Sequence, residues 1–447
     1  MSSATRPRVL VVGCGFGGIE AVRALSKAPV EITLVDRTNH HLFQPLLYQV
    51  ATAGLSAPAV SAPIRHALRR EMERGNLTIL KAEVRTIDVA ARTVSLDGGE
   101  TIAWDHLIVA AGATHGYFGH DEWQRHAPGL KTLADAFDIR ARVIGAFESA
   151  ERATVDAERH AWLSFVVIGG GPTGVEMAGT MSEIAQHTLA REFRRIDPKQ
   201  TRVILLEGSP RILGAFVAKQ SERARRQLER LGVDVRTESK VIAIDAEGVT
   251  YDSAESGGSE RIEARTVIWA AGVAASPLGA ELARGSGAAL DRAGRVVVGP
   301  DLSLPGHPEI SVVGDLAAAL SHGPNGTAPV PGVSPAAKQM GRTAAANIVR
   351  RIRGEAPLAF RYRDYGNLAT VGRKAAVVEL AVPGLGTLRF SGLAAWLFWL
   401  FAHIYFLIGF RNRLMVMVDW AWAYFTYERG ARVVAEPASS PPPPPRF

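Results

Sequence analysis

Cysteine is nearly absent: 447 residues hold one, Cys14. A lone thiol excludes an internal disulfide framework, a cysteine-ligated zinc site and any chemistry that shuttles electrons through an intramolecular cysteine pair. Acidic residues are in the minority, 44 against 51 lysines and arginines, so the chain carries a formal charge of +7 and a pI near 9.7. That balance suits anionic phosphates, anionic lipid or nucleic acid without choosing among them. No basic-aromatic nucleic-acid motif accompanies it. A secretory leader is also missing, because the first apolar run, Val9 to Val12, ends in glycines after four residues, and the N-terminus is read as cytoplasmic. His40-His41 has no carboxylate or cysteine at metal-ligand spacing, so no metal is expected. With 47% hydrophobic and 21% charged residues the composition is that of a folded protein, long enough for two to four domains.

What is present begins with a β-branched run, Arg8 to Val12, of the kind buried on both faces of a parallel sheet. It leads into Gly13-Cys-Gly15-Phe16-Gly17-Gly18 and a helix expected over Ile19 to Ser26. A GxGxxG between a strand and a helix gives a tight turn, a close backbone approach to a pyrophosphate, and a helix N-terminus facing the phosphates. The next strand, Glu31 to Val35, ends in Asp36, a carboxylate suited to a ribose diol. Cys14, between two glycines of the turn, is read as a small packing residue. The pattern recurs: a strand over Leu163 to Ile168, then Gly169-Gly-Gly171-Pro-Thr-Gly174, then a helix over Val175 to Ala185. Its acid is Glu207, after an insertion over His187 to Gln200. Charge repulsion from Glu207 disfavours a 2′-phosphate, so NAD(H) is expected over NADP(H). Two further junctions, ending at Gly112 and Gly272, and the strand running into Gly314-Asp315 complete the set.

In this order, over residues 6 to 350, these motifs resemble the two-dinucleotide-binding-domain flavoproteins. The resemblance implies two Rossmann-like α/β domains, the second inserted in the first, with FAD in the first and the pyridine nucleotide in the second. The expected boundaries are 1–120 and 296–360 for the FAD domain, 121–295 for the NADH domain, 361–434 for a C-terminal region with membrane-anchoring helices, and 435–447 for a disordered proline-rich tail. Members that work through cysteine pairs are excluded by Cys14 standing alone, so the electron acceptor must take electrons directly from the flavin.

Within that class the chain closely resembles the type II, non-proton-pumping NADH:quinone oxidoreductases. The matching stretches are Asn39 to Ala51 (NHHLFQPLLYQVA), Gly171 to Gly179 (GPTGVEMAG), the Gly-Asp junction, and Tyr405 to Phe410 with its basic follow-on. The resemblance implies a tightly but non-covalently held FAD lined by Gly13, Gly15, Phe16, Gly17, Gly18, Asp36, Asn39, Val84, Gly112, Gly314, Asp315, Ala337, Lys338 and Lys374. It implies NADH on Gly169, Gly171, Gly174, Glu207 and Gly272, and quinone near Gln339, Lys338 and Gln44. Glu176 is the implied catalytic residue, placed on the first turn of its helix. Two roles stay open for it, orienting the nicotinamide or relaying protons, beside the plainer one of a helix-dipole carboxylate. The family's quinone segment reads AQxAxQ; here Ser334 to Gln339 keeps the second glutamine as Gln339 but has Pro335 at the first.

Aromatics make up only 7% of the chain, yet seven stand in the 20 residues from Ser391 to Phe410, which contain no Asp, Glu, Lys or Arg. That length equals a minimal membrane span. A spanning helix and a buried core helix are alternatives; the resemblance favours a monotopic anchor in one leaflet. The expected enzyme lies on the cytoplasmic face of the cell membrane, with the bilayer, a membrane quinone and a second copy as partners. It takes a hydride from NADH onto FAD and passes two electrons to quinone. The rivals are a soluble-type flavoprotein reductase serving a protein acceptor and a slow-turnover redox sensor. Arg65, Arg69, Arg70, Arg191, Arg194 and Arg195 are expected on solvated helix faces.

Overall fold

The computed structural model describes residues 6–190, 192–324, 326–382 and 386–434. Arg191 and the proline-rich stretch 435–447 lie outside the described residues. The chain gathers into two units. One takes the residues up to Leu42, Ser61–Gly116 and Val273–Gly366; the other takes Phe43–Val60, Tyr117–Gly272 and the chain from Asn367 on.

The first unit is built on a six-stranded sheet in the order Ser303–Leu304, His307–Val312, His106–Val109, Arg8–Val12, Glu31–Asp36 and Leu77–Lys81, parallel throughout except for the first pair. Val9 to Val12 are buried, as a central strand covered on both faces requires. The helices Phe16–Leu25 and Ser334–Ile352 pack side by side. Their approach is so close that a Cβ on Gly341 would overlap the Gly17 carbonyl. Pro335 sits in the first turn of the second helix, where its missing N–H costs nothing. An antiparallel sheet of Val84–Asp88, Thr93–Leu96 and Thr101–Ala103 belongs to the same unit.

The second unit repeats the plan with four parallel strands, in the order Val233–Arg236, Arg202–Leu206, Ser164–Ile168 and Thr266–Trp269. Ser164 to Ile168 are all buried. Its helix runs Pro172–Glu183 and continues as a π-helical turn, Ile184–Thr188. The expected start at Val175 is corrected by three residues, because Pro172 is compatible with the first helical position. Arg194 and Arg195 lie in a bend rather than on a helix face; the main-chain N–H groups of 194–196 donate to the Glu151 carboxylate.

The C-terminal part carries a three-stranded antiparallel sheet, Asn367–Thr370, Ala376–Val382 and Gly386–Ser391, followed by the helices Leu393–Phe406 and Phe410–Thr426. The uncharged 20-residue run is therefore not one helix. Leu407 is extended and Gly409 takes φ +88°, a turn that hydropathy does not register. Among the described residues no helix is long and apolar enough to cross a membrane.

Candidate functional site

Three glycines, Gly13, Gly112 and Gly314, follow the carboxyl ends of adjacent parallel strands, where open α/β sheets hold ligands. Gly13 has φ +94°, and a Cβ there would press on the Ala110 carbonyl; one on Gly18 would overlap the Gly13 carbonyl. A Cβ on Gly15 meets nothing within 4 Å. The turn is closed against protein on one side and open on the other, at the N-terminus of a ten-residue helix whose first N–H groups lack intrahelical partners. Asp36 braces it: one carboxylate oxygen accepts from Cys14 N–H at 2.6 Å, the other from Thr38 N–H and Oγ1 at 2.7 Å. These residues fit a dinucleotide.

Around this turn the structure gathers most of the residues expected at FAD. Phe16 is half-buried, with Lys338 Nζ 5.2 Å from its ring centre. Burial holds the Lys338 ammonium below the usual lysine pKa range. Gly17 lies against Val313 and the Ala337 carbonyl, and Asp315 opens a short turn beside Gly332. Asn39 is exposed and its carbonyl accepts from Ile64 N–H, while Val84 begins the antiparallel sheet. Gln339 spends both ends of its amide on Arg363, accepting from its N–H at 2.9 Å and donating to its carbonyl at 3.0 Å. A quinone contact from Gln339 would displace one of those bonds.

The second unit holds a matching cradle. Gly169 has φ +108°, a Cβ on Gly174 would overlap the Gly169 carbonyl, and one on Gly171 meets nothing within 4 Å. Glu207 stands as Asp36 does, accepting from Gly170 N–H at 2.6 Å and from Ser209 N–H at 2.7 Å. Gly272 follows the strand Thr266–Trp269, half-buried. Gln44 and Lys374 also belong to this unit. Gln44 is exposed and donates to the Lys131 carbonyl, and Lys374 is exposed with its ammonium 5.2 Å from the Tyr424 ring centre.

Glu176 is buried. Because the helix starts at Pro172, the residue falls on the second turn rather than the first, and the helix-dipole reading loses its geometry. Among the described residues its carboxylate accepts one hydrogen bond, a long one of 3.4 Å from Thr370 N–H. Burial pushes its pKa up to about 8, against the small downward pull of that bond.

Sequence reasoning missed the groups around it. The helix Leu47–Ala51 packs against Pro172–Glu183 and brings in the fully buried Tyr48. Glu183, seven residues after Glu176, accepts from Arg373 N–H and from the Arg429 guanidinium at 3.4 Å. Arg429 also donates to the Thr52 carbonyl at 3.1 Å, and the Arg373 guanidinium lies 3.8 Å from the Tyr427 ring centre. Only the spacing of Glu176 and Glu183 on one helix face was available as a signal; Arg429 had none.

Comparison with known proteins sharpens these observations. Residues 7–341 match the family model described as pyridine nucleotide-disulphide oxidoreductase, and residues 365–427 match the NDH2 C-terminal domain. The chain is 44% identical to the type II NADH:quinone oxidoreductase NdhA of Mycobacterium tuberculosis, over 96% of this chain and 89% of that relative. It is 42% identical to Ndh of the same organism, over 96% and 91%. Among solved structures, NDH2 of Plasmodium falciparum in complex with NADH superposes with a TM-score of 0.84 at 18% identity, covering 96% of this chain and 100% of that one. The sulfide:quinone oxidoreductase of Aquifex aeolicus, at TM-score 0.71 and 19% identity, covering 94% and 95%, shares the fold. With both cradles in place, the carboxyl-terminal domain matched and two relatives above 40% identity, this chain belongs to the type II NADH:quinone oxidoreductases.

Proposed function

We propose that the NADH:quinone oxidoreductase reaction of this family runs in this chain with Glu176 as the protonatable group at the site of electron transfer. FAD, when bound, supplies the two-electron acceptor that passes reducing equivalents from NADH to quinone. The turn Gly13 to Gly18, with Asp36, Gly112, Gly314 and Asp315, suits the FAD phosphates and sugar; Phe16, Asn39, Val84, Ala337, Lys338 and Lys374 are assigned to the rest of it. Gly169, Gly171, Gly174, Glu207 and Gly272 are assigned to NADH. Gln44, Lys338 and Gln339 remain the candidates on the quinone side. Nothing in this assignment pumps protons.

The observation that carries this reading is a buried carboxyl on the helix that opens at the NADH cradle, with a pKa of about 8. Such a group is largely protonated at neutral pH and can give up or take a proton near physiological pH, which a surface glutamate cannot. The exposed apolar faces of the two C-terminal helices support a monotopic seat on the membrane, and the cytoplasmic face is the side proposed for it. Leu393, Leu397, Phe401 and Tyr405, each four residues apart, are all exposed.

Glu176→Gln tests the assignment. The variant should keep its flavin and its binding of NADH, while quinone turnover falls at least tenfold. Undiminished quinone reductase activity would remove Glu176 from this role.

A further inference from the structure

Reduction turns a quinone into a hydroquinone, and the two differ in hydrogen bonding: carbonyl oxygens only accept, whereas hydroxyls also donate. A side chain able to tell them apart lies on the helix Leu393–Phe406, in the second unit. Ala395 and Trp399, four residues apart, are buried there, and His403 continues their row half-buried. His403 Nδ1 is 2.8 Å from the Trp399 carbonyl oxygen. A carbonyl can only accept, so Nδ1 carries the proton and donates it. Burial lowers the imidazole pKa to about 4, which leaves Nε2 a bare acceptor at neutral pH. Among the described residues nothing donates to it.

The imidazole is held between two rings. Its centre is 4.0 Å from that of Trp399, in a stack, and 6.2 Å from that of Phe43, edge to face. Phe43 adjoins Gln44, a candidate on the quinone side. The buried Trp399 has an indole N–H with no acceptor among the described residues. One stack of rings thus holds an acceptor without a donor and a donor without an acceptor. A quinone carbonyl can answer only the indole, whereas a hydroxyl oxygen can answer both. The neighbouring row, Leu393, Leu397, Phe401 and Tyr405, is the exposed apolar face of the same helix. His403 therefore stands at the border between that face and the interior, which a molecule confined to lipid has to cross. We propose that His403 is a hydroquinone-binding residue: its Nε2 accepts from the hydroxyl that reduction creates, so this border recognises the product in a way it cannot recognise the substrate. The inference rests on the reading above that quinone reaches this chain beside Gln44.

The test uses full-length holoenzyme in detergent without oxygen, measuring initial rates against a short-chain ubiquinone with its hydroquinone added at rising concentrations. The parent should be inhibited by the hydroquinone. His403→Phe keeps a ring for both contacts and removes the acceptor; it should raise the hydroquinone inhibition constant about threefold to tenfold, the range of one neutral hydrogen bond. KM for the quinone should not move, because the quinone has no O–H to donate. His403→Asn keeps an amide N–H for the Trp399 carbonyl but has no atom at the Nε2 position, so it should give the same result and carries the test if His403→Phe folds poorly. Equal inhibition of the parent and both variants overturns the inference and leaves water as the partner of Nε2; a parent that the hydroquinone does not inhibit overturns it too. So does a KM for quinone that rises in step with the inhibition constant, or a loss of flavin, since either marks a merely structural role. The reading beneath it fails separately: an unmoved KM for quinone in Gln44→Leu would take quinone away from Gln44.

Discussion

The role proposed for Glu176 would concentrate the chemistry of this protein at a single buried carboxyl, and that burial carries a measurable cost. A folded-state pKa of about 8 lies above the 4.5 of an exposed glutamate, so between those values the folded protein holds a proton that the unfolded chain has released. Stability from this group is therefore greatest below the unfolded pKa and is lost as pH rises to about 8. At roughly 1.4 kcal/mol per unit the full loss is on the order of 4–5 kcal/mol. Glu176→Gln carries no such titration. Its thermal stability relative to the parent should increase from about pH 5 to about pH 8 and then level off, which melting curves across that range would show; parallel curves would mean that Glu176 is not desolvated. The sequence singled out Glu176 but could not show its burial, and a carboxylate serving a helix dipole stood there as the lesser alternative. The distinction needed Pro172, which starts the helix early enough to turn the side chain inward, and Tyr48, which arrives from a segment more than 120 residues away.

At the scale of elements the two strand-turn-helix cradles were legible almost in full, for a physical reason: a phosphate bound to main chain demands glycines where a side chain would stand, and the demand is written in consecutive residues. The cradles also separate the two ligands experimentally. Gly15 and Gly171 have ordinary negative φ and open space at their Cβ positions, so alanine there should fold normally. Gly15→Ala should lower flavin retention with NADH binding kept in the reconstituted enzyme, and Gly171→Ala should raise KM for NADH at least tenfold with flavin content unchanged. Melting temperatures should stay within about 2–4 °C of the parent, the shift expected of about 1 kcal/mol. If each variant lost both ligands, the assignment of one ligand to each cradle would be wrong. The C-terminal helices were less legible. Residue type gave their apolarity, but the break between them depends on a left-handed glycine inside an unbroken apolar run. The buried Glu183–Arg429 pair joins positions 246 residues apart, and no local pattern announces such a contact.

For the whole molecule, the chain weaves between its two units, each assembled from three separate stretches. Pairings of high sequence separation close late, and the last of them here bring the segment around Arg429 onto Glu183 and Thr52. Arg429→Met would strand Glu183 as a buried carboxyl without its cation, and should cost about 3–5 kcal/mol if Glu183 stays ionised; the double variant Arg429→Met/Glu183→Leu should recover much of that loss. Chemical denaturation of the three proteins would show it, and an unrecovered double variant would locate the importance of the site elsewhere. The outward apolar faces of the last two helices predict that Phe401→Glu/Tyr405→Glu halves binding to anionic vesicles or worse in flotation assays, while soluble-quinone turnover in detergent persists.

The seat on lipid proposed for those outward faces would also change what concentration means for this protein. An enzyme seated on a sheet of lipid meets a long-tailed quinone in two dimensions, and the effective variable is molecules per unit of lipid area. Adding empty lipid at fixed amounts of protein and long-chain quinone should then slow turnover by surface dilution, while NADH, which arrives from the bulk, continues to be governed by its amount per volume.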